Sequence, residues 1–148
     1  MLHSFTRVFI HFVWSTKSRQ PFLTGELRTL VKSHMETYAQ ENNIEIDSLA
    51  MQPEHVHMLV QLRSDQRVED IPKLLKGESS HWINAQDLLR TKFSWQRGYS
   101  AFSVSRSDVN RVRKCLLNQD QHHRTMSFSD ELQSILKIYG FTGHVSND

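Results

Sequence analysis

Residues 44–62, IEIDSLAMQPEHVHMLVQL, restrict the possible folds of this chain more than any other stretch. Two apolar-rich runs flank a short Gln52-Pro53-Glu54 connection, the pattern of two strands joined by a turn. In the second run, alternation sends His55, His57, Leu59 and Gln61 to one face and Val56, Met58, Val60 and Leu62 to the other. One face is wholly apolar and demands a covering layer. The other carries two imidazoles, one leucine and one amide.

The flanking segments supply the rest of a sheet and its cover. TRVFIHFVWST is rich in β-branched and aromatic residues and reads as a first strand. After a turn near Pro21, ELRTLVKSHMETYAQENN has helical spacing, with Leu27, Leu30, Val31, His34 and Tyr38 on one face. Thr24 suits its N-cap and Asn42-Asn43 its end. VEDIPKLLKGESSHWINAQDLLR is expected as a second helix, with Pro72 in its first turn. YSAFSVSRS reads as a late strand, DVNRVRKCLLNQDQHHRT as a helix, and FSDELQSILKIYG as a last helix ending at Gly140. Strand, helix, strand, strand, helix, strand is the split βαβ order. It predicts an α+β, ferredoxin-like antiparallel sheet with helices on one face plus C-terminal helices.

The chain has 148 residues and no repeat or Pro/Gly-rich linker, so residues 1–148 are expected to form a single domain. A domain of that size buries roughly 70% of its unfolded surface and needs no disulfide. The one cysteine cannot form an internal disulfide, and neither a signal peptide nor a membrane-length apolar run is legible. A cytoplasmic, soluble protein is the expectation.

Charge and histidine content carry more chemistry. The net charge is only +2, but Arg106, Arg111, Arg113 and Lys114 gather in RSDVNRVRK with Asp108 as the only acid. Such a strip suits a phosphate backbone, and equally a solvated helix face. Among nine histidines, His55 pairs with His57 and His122 with His123. Same-face side chains two apart on a strand start about 6.6 Å apart, so two imidazoles there can converge on one cation. H-x-H alone is a weak signal, and two histidines bonded to neighbours or water fit it as well.

Five segments together extend the pattern: IHFVWSTKSRQPFL, MQPEHVHMLV, LKGESSHWIN, WQRGYSAFSVS and NQDQHH, the last followed by SFSDEL. In this order they resemble the single-tyrosine HUH transposases of small insertion sequences and their REP-associated tyrosine transposase relatives. The resemblance covers almost the whole chain. It implies a DNA transposase that binds single-stranded DNA hairpins and cuts and rejoins strands by metal-assisted transesterification. It further implies a divalent cation, Mg²⁺ or Mn²⁺, held by His55, His57 and Gln119. A homodimer is implied as well, in which many members donate the nucleophile helix to the partner.

One position departs from the family. Counting back four residues from Gln119 reaches Cys115, where the resemblance calls for the tyrosine nucleophile. A thiolate is a strong nucleophile, but the side chain is shorter than a phenol. Cys115 is therefore open to three readings: substitute nucleophile, inert residue of a protein that binds without cutting, or mark of an altered copy. A DNA-hairpin-binding protein without catalysis and a metal-dependent phosphoesterase stand as alternatives. His122 and His123 are candidates for metal, proton or phosphate contacts. Trp82, Trp95 and Tyr99 either stack on bases or fill the core.

Overall fold

The computed structural model describes residues 3–119 and 126–141, so His122 and His123 lie outside the described residues. Four strands form one antiparallel sheet: β1 (Val8–Ser15), β2 (Glu45–Met51), β3 (His55–Leu62) and β4 (Ser100–Val104), in the order β2-β3-β1-β4. The two central strands are β1 and β3. The helices are α1 (Gly25–Glu41), α2 (Asp70–Ala85), α3 (Val109–Leu117) and α4 (Phe128–Ile138). The α+β architecture expected from the order of elements is the one observed.

Strand parity divides the molecule into layers. Ile10, Phe12 and Trp14 of β1 share a face with Val56, Met58 and Val60 of β3, and this face packs on α1 and α2 through Val31, Met35, Ile71, Leu75 and Ile83. The opposite face carries Phe9, Ala50, Leu59 and Val104, covered by Val109, Val112 and Leu116 of α3. Beside it, Val13 and Phe102 are covered by Phe128 and Leu132 of α4. The first pair of helices thus takes one face, and the C-terminal helices take the other.

Local sequence explains most boundaries, but two helices end early: α2, and α3, which stops at Leu117 with Asn118 as its C-cap, so that Gln119 lies past the helix that carries Cys115 instead of on it as expected. Helix α1 begins after Thr24 and ends at Asn42, as expected, with Asn43 at a left-handed φ of 60°. Its buried stripe is Val31, Met35 and Ala39 rather than the one centred on Leu30, which is 45% exposed. Helix α2 is shorter than its apolar pattern suggests. It stops at Ala85, and Asp87 turns the chain back at φ 55°. Asn84 then holds the returning chain, its amide donating to the Phe93 carbonyl at 2.9 Å and accepting from the Phe93 N–H at 2.8 Å. Two side-chain hydrogen bonds to one residue decide that helix end.

A bulge in β2 positions α3. The pairing with β3 skips Asp47 between Ile46 and Ser48, so this residue stands outside the ladder. Its carboxylate accepts from Arg113 Nε at 2.8 Å and from Nη2 at 2.5 Å, a two-point tie between sheet edge and helix. The Arg113 hydrogen bond holds the Asp47 carboxyl below its ordinary range, against the opposing effect of partial burial.

Candidate metal centre

The histidine strand is central and covered on both sides, which its alternating sequence does not announce. His55 and His57 are 0% and 1% exposed. Their face is closed by α4, whose Phe128 ring stacks on His55 at 4.1 Å between centroids. Ser127 caps this helix by accepting from the Asp130 N–H at 3.2 Å, and the first turn carries Asp130 and Glu131. Carboxylates are favoured at that end of a helix by the peptide dipoles.

Each imidazole has a partner on Nδ1. Glu54 Oε1 lies 2.7 Å from His55 Nδ1, and His11 Nε2 lies 3.0 Å from His57 Nδ1. With Nδ1 engaged, Nε2 of both rings faces Glu131. Oε1 of Glu131 is 2.8 Å from His57 Nε2, and Oε2 is 3.6 Å from His55 Nε2. One donor atom from each of His55, His57 and Glu131 lies within 4.8 Å of the others, a spacing able to hold a metal ion. Burial raises the Glu131 pKa, but the close approach and charge of His57, the charge of His55 and the neighbouring Gln119 amide outweigh it and bring it down to about 2. Burial is also the main cause that lowers the pKa of His55, while Glu54 opposes it.

Gln119 reaches the same place within its own chain. It is 4% exposed, its side chain lies near enough to Glu131 to help lower that carboxyl's pKa, and its Nε2 donates to the Cys115 carbonyl at 3.4 Å. The sequence-derived trio His55, His57 and Gln119 therefore converges around one carboxylate. Cys115 does not join: it is exposed and absent from the donor cluster. Of the basic strip, Arg113 is tied to Asp47 and Arg111 lies 3.3 Å from Asp108, while Arg106 and Lys114 are exposed on the surface.

Three residues of the site were not singled out by sequence reasoning. Glu131 lies inside the apolar stripe Phe128, Leu132, Ile135, and an acid in such a stripe was the available signal. His11 shares a parity with Phe9 and Val13 in an otherwise apolar strand. Glu54 looked like an ordinary turn residue. Of the aromatic candidates, Trp95 is core, donating from Nε1 to Ser79 Oγ at 2.9 Å. Trp82 stacks on His34 at 4.0 Å, and Tyr99 is exposed.

A groove of about 700 Å³ runs between α1, the β2 edge and α3, and none of the histidines lines it. A cleft of about 310 Å³ adjoins them instead, sharing Val13 and Phe128 and bordered by Arg19, Arg97 and Tyr99. The smaller cleft is the one that opens beside the cluster of buried donors.

A small antiparallel α+β sheet with a buried histidine pair on its central strand defines the class of protein. The chain belongs to the family described as transposase IS200-like, whose model matches residues 4–119. The ISDra2 transposase TnpA of Deinococcus radiodurans is 28% identical over 114 residues, covering 74% of this chain and 81% of that protein. Two solved structures share the fold. A candidate transposase of Deinococcus radiodurans aligns with TM-score 0.65 at 24% identity, over 80% of this chain and 95% of that one. A REP-associated tyrosine transposase bound to a REP hairpin aligns with TM-score 0.64 at 14% identity, over 99% and 92%. No helix among the described residues is long and apolar enough to cross a membrane.

Proposed function

We propose that this transposase-family chain, acting as one domain, binds single-stranded DNA hairpins and transfers strands at a divalent-metal centre built on His55, His57 and Gln119. The observation that carries this reading is the convergence of two buried imidazoles on one point with the Gln119 side chain beside it. The donor chemistry fits a cation. His57 Nε2, Glu131 Oε2 and Gln119 Oε1 are buried and have no hydrogen bond of good geometry among the described residues, although His57 Nε2 is only 2.8 Å from a carboxylate oxygen. Buried polar atoms left so are costly, and a cation between them would satisfy them.

The neutral amide oxygen suits Mg²⁺ or Mn²⁺, the imidazole nitrogens are the softer donors of the set, and three protein ligands leave positions for phosphate oxygens. Such an ion supplies charge stabilisation and in-line orientation of a phosphodiester. The protein's own part is to fix the donors. Glu54 and His11 orient the rings, and Phe128 excludes water from His55. The neighbouring cleft offers Arg19 and Arg97 for phosphates and Tyr99 for an unpaired base. In strand transfer, the side chain at position 115 would bond to phosphorus. The P–O3′ bond would break, and the leaving oxygen would take up a proton as a 3′-hydroxyl.

Binding without cutting is a second reading, favoured by the exposed Cys115 thiol standing outside the donor cluster. Incubation with hairpin DNA and Mn²⁺ separates the alternatives. A gel shift is expected in both, and a protein–DNA band that survives denaturation marks strand transfer. Cleaved DNA without that band marks hydrolysis, and no shift at all defeats the proposal. A homodimer follows from the family resemblance, and light scattering after size exclusion tests it.

A further inference from the structure

The family-matched region ends at residue 119, yet the carboxylate that meets both imidazoles comes from α4, beyond that region. One explanation is structural, with Glu131 simply bonding α4 to the sheet. That role would require a donor for each carboxylate oxygen. Oε2 has none among the described residues, and His57 Nε2 approaches Oε1 without the alignment of a ring N–H donor.

The hydrogen bonds around the rings explain the mismatch. When Nδ1–H of His55 donates to Glu54 and Nδ1–H of His57 donates to His11, each Nε2 presents a lone pair. Those lone pairs face carboxylate oxygens, and the Gln119 Oε1 acceptor is buried nearby without a donor. Acceptors gathered around acceptors in a buried place lack one thing, a positive centre. The hydrophobic docking of α4 places the carboxylate there, through Phe128 on His55 and Leu132 in the cluster with Val13 and Phe102.

We propose that Glu131 is itself a ligand of the cation, so that the centre in this chain contains an anionic donor from α4 beside the two imidazoles. This rests on the metal reading above and extends it. The anionic donor raises cation affinity and makes α4 part of the metal centre rather than an accessory cover.

The test is a Mn²⁺ titration of the full chain, following free Mn²⁺ by electron paramagnetic resonance, with wild type, His57→Ala, Glu131→Gln and Glu131→Asp. Circular dichroism and the metal-free thermal midpoint establish that each variant is folded. Glu131→Gln keeps the shape, and Glu131→Asp keeps the charge while drawing it back. Both should bind Mn²⁺ about tenfold more weakly or worse, because even outer partners of metal ligands carry factors of that size. His57→Ala should lose binding. Equal affinity of wild type and both Glu131 variants, with His57→Ala defective, overturns the role of Glu131 and leaves the histidine centre standing. Absence of Mn²⁺ binding by wild type removes the metal reading and this proposal together.

Discussion

His11 Nε2 stands 3.0 Å from His57 Nδ1, a hydrogen bond between adjacent central strands that fixes the tilt of the ring facing Glu131. Burial brings the His11 pKa down to about 3, helped by the charge of His57 and opposed by that of Glu131. His11 is thus neutral across ordinary pH and able to accept from His57. Because the folded pKa lies below the unfolded one, its contribution is complete above about pH 6.5 and is lost as pH falls towards 3. At about 1.4 kcal/mol per pH unit, up to roughly 3 kcal/mol disappears by pH 4. Urea unfolding at pH 7.5 and pH 4 in chelator should show this loss, and His11→Phe should remove much of it.

The side chain at position 115 can be exchanged without disturbing the core, because Cys115 is exposed. Cys115→Tyr should increase covalent adduct with hairpin DNA and Mn²⁺, since it supplies a longer side chain ending in a phenol four residues before Gln119. Denaturing gels of the two proteins side by side give the answer. No gain in adduct counts against a competent metal centre.

Helix α3 hangs on its apolar side. Leu116 is 4% exposed and Leu117 is 81% exposed. Leu116→Ala should cost about 2–4 kcal/mol in urea unfolding, and Leu117→Ala no more than about 0.5 kcal/mol. Similar values for both would mean that α3 does not dock on the sheet in solution.

Ser79 is buried in α2 with two tasks, accepting from Trp95 Nε1 at 2.9 Å and donating to the Leu75 carbonyl at 2.5 Å. Ser79→Ala leaves the indole N–H without its acceptor. A loss of about 1–3 kcal/mol is expected, with a change in tryptophan emission as the local readout.

Three basic residues of the strip should separate by function. Arg106→Ala and Lys114→Ala should each reduce the salt dependence of hairpin binding, by about 0.7 in log–log slope per lost phosphate contact on a single strand. Arg113→Ala should instead lower the unfolding midpoint, because its guanidinium is bound to Asp47. Hairpin titrations at several salt concentrations, beside thermal melts, distinguish the two effects.

The sequence by itself determined the order of strands and helices, the parity of β3 and the pairing of His55 with His57. These follow from residue periods of two and three to four, which neighbours along the chain impose directly. The family resemblance, rather than any period, pointed to Gln119, which lies past the end of α3 at Leu117 instead of on one helix with Cys115. Only the tertiary structure decided that both faces of β3 are covered, that Asp47 leaves its ladder to hold Arg113, and that Glu131, His11 and Glu54 surround the histidine pair. Those relations depend on which separate elements pack together. A carboxylate in an apolar helical stripe reveals that it is buried, but not which buried groups await it.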